Sequence, residues 1–103
     1  MSDNAVVGAA LAALQAKVGQ EVHVSDWMTI TQDRISQFAK ATDDHQWIHV
    51  DQERAKNGPF GGTIAHGFLT LSLIPSFFES AMHVLETRMG VNYGLNRVRF
   101  TPP

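Results

Sequence analysis

The chain has 103 residues, 44% of them apolar, with Lys+Arg at 8, Asp+Glu at 10 and a formal net charge of -2. That is room for one packed domain and not for two. Without a basic surplus nothing neutralises a phosphate backbone, so nucleic-acid binding is not expected. The lack of cysteine rules out disulfides, thiolate catalysis and cysteine-based zinc sites. It is compatible with a reducing cytosol, and a cytoplasmic location is expected.

Residues 1–18 are alanine-rich, and Val7, Leu11, Leu14 and Val18 recur at helical steps before Gly19. This predicts an amphipathic helix with a glycine stop. The segment lacks the basic start and small-residue cleavage pattern of a secretory leader. No uncharged run reaches the roughly 18 apolar residues that a membrane span needs, so no membrane partner is expected. Residues 21–30 become β-branched and aromatic in their second half (Trp27, Met28, Thr29, Ile30), which predicts a strand. Thr31 can then cap a helix with Asp33 in its first turn and Ile35, Phe38 and Ala39 on one face. Thr42-Asp43-Asp44 ends it. A short helix follows, with Asp51 as N-cap and Asn57-Gly58-Pro59 as its close.

Residues 60–65 form a glycine-rich loop. From His66 the sequence Gly-Phe-Leu-Thr-Leu-Ser-Leu-Ile is apolar on nearly every side, which predicts a long helix buried all round. Pro75 should kink or split it. Ser76 can cap the second piece, with Phe77, Phe78, Ala81, Leu85 and Met89 inward and Gly90 as the stop. Residues 91–100 alternate well enough for a second strand. Two strands cannot cover so long a buried helix. The missing strands are expected either from partner chains or from a longer chain of which this is a fragment; the fragment is preferred.

Chemistry concentrates in two places. Asp44 and His49 stand five residues apart in Asp44-His45-Gln46-Trp47-Ile48-His49. If that stretch is a loop or turn, they can converge on one water. A carboxylate and an imidazole can take up one proton and deliver another, as adding water across a double bond requires. The plain alternative is a capping Asp and a surface His. The second place is His66-Gly67-Phe68. Glycine at a helix start permits close approach to the backbone, and the free N–H groups there favour a developing oxyanion. The plain alternative is a tight loop. His45, His49 and His66 with Asp43, Asp44 and Asp51 also invite a metal reading, but the metalloprotease pattern is absent and no metal is expected. No Gly-x-Ser-x-Gly elbow surrounds Ser72, Ser76 or Ser80. Arg97 and Arg99, two apart on the expected strand, would share one face; a solvated strand face is the preferred reading, and contact with a phosphate of a large substrate is the alternative.

Phe38-Ala39-Lys40-Ala41-Thr42-Asp43-Asp44-His45-Gln46-Trp47-Ile48-His49-Val50-Asp51 resembles the signature of the MaoC-like dehydratases, the (R)-specific enoyl-CoA hydratases or hydratase 2. Pro59-Phe60-Gly61-Gly62-Thr63-Ile64-Ala65-His66-Gly67 resembles their second segment, which ends in His-Gly. Asp-His-Gln-Trp-Ile-His is most similar to a subgroup of bacterial 3-hydroxyacyl-thioester dehydratases often labelled nodulation protein N-like. The resemblance implies an α+β hot-dog fold, a curved antiparallel sheet around a long central helix, here as a single domain 1–103 lacking its C-terminal strands. It implies Asp44 and His49 as the catalytic pair and Gly67 as the amide that holds the thioester oxygen. His66, Gln46 and Phe68 are expected beside the substrate. The implied reaction is reversible hydration of a trans-2-enoyl-CoA, by a homodimer, with no cofactor. Gln46-Trp47 departs from the usual Asn-Pro, and Thr42-Asp43 stands where the pattern has one Gly. Two other readings stay open: an acyl-CoA thioesterase on the same fold, with Glu79 as its acid, and a non-catalytic acyl-thioester-binding subunit.

Overall fold

Six helices follow one another along residues 3–81 and 89–103, the part of the chain that the computed structural model describes. They are α1 (Asp3–Gln15), α2 (Gln32–Thr42), α3 (Trp47–Val50), α4 (Gln52–Lys56), α5 (Gly67–Ser72) and α6 (Ile74–Ala81). The chain forms two compact units, residues 1–26 with 76–97 and residues 27–75 with 98–103.

In the first unit α1 falls within the segment the helical spacing predicts but ends at Gln15, and a turn follows to near Gly19. Val18 therefore lies outside the helix, and it and Leu11 are exposed, so the expected apolar face is not buried at those two positions. The residues carrying both motifs fall in the second unit. There α2 begins as its capping chemistry dictates. Thr31 has extended backbone, and its Oγ1 accepts the Arg34 N–H at 3.2 Å. Ile35 and Ala39 are buried, with Phe38 half-buried on the same face. Asp51 serves twice. Its N–H bonds the Trp47 carbonyl at 3.0 Å to close α3, and its Oδ1 accepts the Arg54 N–H at 3.0 Å to open α4. The single turn of α3 is too short for any hydrophobic period in the sequence to reveal.

The long helix expected from His66 is divided, as Pro75 implies. The break falls at Leu73, whose N–H reaches back to the Thr70 carbonyl at 3.2 Å. Pro75 becomes the second residue of α6, inside the first turn, where its missing donor costs nothing. Ser76 is therefore inside α6 and does not cap it. Leu85 lies outside the described residues. Met89 is exposed and outside the helix.

Both expected strands need correction. Residues 21–30 and 91–100 are extended or irregular, and no strand forms among the described residues. Trp27 and Tyr93 are fully exposed there. A strand exists only through ladder hydrogen bonds to a neighbour, and neither segment has one among the described residues. For the same reason α5 and α6 are not buried all round. Leu69 is buried, while Phe68, Ile74 and Phe78 are exposed. The core of the second unit is accordingly small: Ile35, Ala39, Ala55 and Leu69, with His49 and His66 as its polar members.

Candidate active site

The two motifs meet. Asp44 sits in the short loop after α2, where Asp43 reverses the chain in the left-handed region at φ 60° and ψ 23°. His49 is the third residue of α3, and His66 immediately precedes α5. One ligand-type atom from each of Asp44, His49 and His66 lies within 4.8 Å of the others. Spacing alone could not foretell this, because it depends on α3 turning His49 back toward the end of α2.

The loop carrying His66 is pinned to α3 at two points. The Ile64 N–H donates to the Ile48 carbonyl at 3.0 Å, and His49 Nδ1 lies 2.7 Å from the Ile64 carbonyl oxygen. A carbonyl can only accept, so His49 Nδ1 carries the hydrogen. Nε2 of the neutral ring is left with an unshared pair. The same reasoning applies to His66, whose Nε2–H donates to the Asp44 backbone carbonyl at 3.0 Å. Asp44 Oδ2 stands 4.0 Å from that nitrogen. The two imidazoles stack at 3.8 Å between centroids with 23° between planes, and Phe38 closes on His66 at 4.9 Å. His49 and His66 are buried at 6% and 2% exposure, whereas the Asp44 side chain is half exposed.

Gln32 was not singled out from sequence. Its Nε2–H group donates to the His49 carbonyl at 2.8 Å, and its Oε1 accepts the Thr63 hydroxyl at 2.6 Å. It thus joins the start of α2 to both motifs. No local signal marks a contact spanning 31 residues.

Gln46 is exposed, and its N–H reaches Asp44 Oδ1 at 3.4 Å, a loose turn of the aspartate on its own loop. Trp47 is occupied elsewhere. Arg54 lies over its ring at 4.2 Å, and Gly58 packs against the ring's far edge. Gly61 adopts φ 74°, which a side chain would resist, and so makes the turn that returns the chain toward His66.

Gly67 opens α5, and its N–H has no acceptor among the described residues. A Cβ at this position would lie 2.8 Å from the Phe100 ring, so any larger residue requires that ring to shift. Phe68 meets Phe100 edge-on at 5.5 Å. Ile64, Gly67, Thr70, Arg99 and Phe100 line an open groove of about 580 Å³. Arg99 is there without the strand that was expected to carry it, so the shared face with Arg97 does not arise.

The donor atoms of the three residues are close enough together to share a cation, but His49 Nδ1 and His66 Nε2 each face a carbonyl oxygen and so carry hydrogens, which leaves one free nitrogen per ring. His45 is exposed, and Glu79 is exposed on α6. No helix among the described residues is long and apolar enough to cross a membrane.

Residues 13–103 match the family of the MaoC like domain. The chain is 55% identical over 93 residues to 3-hydroxyacyl-thioester dehydratase Z of Mycobacterium tuberculosis (strain ATCC 25618 / H37Rv), covering 90% of this chain and 62% of that protein. It is 55% identical over 95 residues to Nodulation protein N of Rhizobium leguminosarum bv. viciae, covering 90% of this chain and 59% of the relative. A match to Protein MaoC of Klebsiella aerogenes is 31% identical over 75 residues, covering 73% and 22%. The chain thus spans about 60% of the length of the first two relatives.

Proposed function

The chain belongs to the MaoC-like domain family, and from that premise we propose that it serves reversible hydration of a trans-2-enoyl-CoA to an (R)-3-hydroxyacyl-CoA. One observation carries the reading. A carboxylate oxygen of Asp44 and a ring nitrogen of His49 lie within 4.8 Å, a span that one water closes with two hydrogen bonds of about 2.8 Å each.

In this reading Asp44 and His49 Nε2 accept the two hydrogens of a single water. The acyl thioester lies along the start of α5 with its carbonyl oxygen on the Gly67 N–H. That bond strengthens as charge moves from the double bond onto the oxygen, leaving C3 electron-poor. The water oxygen bonds to C3 while His49 takes its proton. The imidazolium then returns a proton to C2, so the net change is addition of H and OH and the pair is regenerated. His49 is preferred as base because its Nδ1–H is committed to Ile64, which orients the basic nitrogen. Gln46 and Phe68 flank the substrate, and Arg99 in the groove suits a phosphate of the CoA. Residues 21–30 and 91–100 become strands of the curved antiparallel sheet when they find neighbours, and two such sheets pair in a homodimer.

Asp44→Asn and His49→Gln, each in the full-length protein, are expected to lower kcat for crotonyl-CoA hydration roughly 10²- to 10⁴-fold. Circular dichroism and the melting temperature should stay near wild type. Wild-type rates in both variants would end the proposal.

A further inference from the structure

We infer that His66, expected from sequence beside the substrate, is instead the positioning residue that fixes the Asp44 backbone opposite His49. The inference rests on the hydration reading above. Four observations carry it. The ring is 2% exposed, which leaves it little surface to offer a ligand. Its Nε2–H bonds the Asp44 carbonyl at 3.0 Å across 22 residues of sequence. His49 stacks on the ring at 3.8 Å and Phe38 lies tilted against it at 4.9 Å, which limits its freedom to turn. The Asp44 carboxylate itself is held weakly, by the 3.4 Å contact from the Gln46 N–H and by the same His66 Nε2 standing 4.0 Å from its Oδ2.

The aim of that carboxylate therefore depends on where its backbone is tied, and His66 is the tie. Because Gly67 follows His66 directly, the same ring also sets the start of α5. Three parts of the site, the carboxylate, the basic imidazole and the amide, are referred to one buried side chain. The buried Nδ1 of His66 has no partner among the described residues.

Two variants separate these roles. His66→Phe keeps a ring for stacking and removes the donor. His66→Gln removes the ring and offers an amide N–H in place of Nε2–H. In the full-length protein, His66→Phe is expected to lower kcat for crotonyl-CoA hydration roughly 100-fold with KM unchanged, the size of effect a small misplacement produces. Backbone amides of residues 44–46 should exchange faster with solvent. His66→Gln should recover most of kcat and slow that exchange again. Nitrogen-15 spectra of the wild type should show His66 with its hydrogen on Nε2. Wild-type kcat and exchange in His66→Phe would overturn the inference, as would a folded His66→Gln impaired as much as His66→Phe. A hydrogen on Nδ1 in the wild type would overturn it even if His66→Phe does not fold. If the wild type itself fails to hydrate crotonyl-CoA, the functional reading falls alone. The exchange rates and the spectra then decide whether the tie exists.

Discussion

Asp43 adopts φ 60° at the end of α2, a conformation that costs an ordinary L-residue about 1–2 kcal/mol. Aspartate tolerates it better than most because its short polar side chain can bond locally. The reversal it makes delivers Asp44 to the two histidines. Asp43→Gly is therefore expected to stabilise the protein by roughly 0.5 kcal/mol, the relief of strain outweighing the added freedom of the unfolded chain. Asp43→Val should destabilise it, since a β-branched side chain fits the left-handed region worst. Urea denaturation of both variants checks the pair, and a lower midpoint for Asp43→Gly would contradict the argument.

At the scale of elements, the second unit has a small apolar core and a few polar cross-links that span it. Four apolar residues are buried, and the joint between α2, α3 and the 63–66 loop runs through Gln32. Gln32→Leu would leave the His49 carbonyl and the Thr63 hydroxyl without that partner. A cost of about 1–3 kcal/mol is expected from such orphaned groups. It should appear as a lower denaturation midpoint. Hydration activity should fall by less than in Asp44→Asn, because the pair itself remains. Equal stability of Gln32→Leu and wild type would show that the contact does not bear on the fold.

At the scale of the whole molecule, the family match runs across both compact units. Residues 21–30 and 91–100 expose Val24, Trp27, Val91 and Tyr93. Segments that are free of helix and expose apolar side chains suit pairing with neighbouring strands. The homodimer proposed above predicts a solution mass twice that of one full-length chain. Sedimentation equilibrium checks it, and a monomer at micromolar concentration would count against sheet pairing.

Much could be read from the residues alone, because much is local. Thr31 and Asp51 announce their caps through one side-chain oxygen each, and Pro75 breaks the apolar run because it has no N–H to give. The two motifs, with their spacing, carried the family resemblance before any fold was in view, since the resemblance depends on residue identity. Other features are set by distant parts of the chain. The stacking of His49 on His66, the bond from His66 to the Asp44 carbonyl and the bracing by Gln32 each join segments 17 or more residues apart. No periodicity encodes them. The expected strands mark the same boundary from the other side. Alternating residues give a segment the capacity to be a strand, but only a neighbouring backbone can make it one. Composition and motif thus determined which groups are present for chemistry, and tertiary packing decided which of them face each other, because hydrogen bonds and ring contacts act through space and not along the chain.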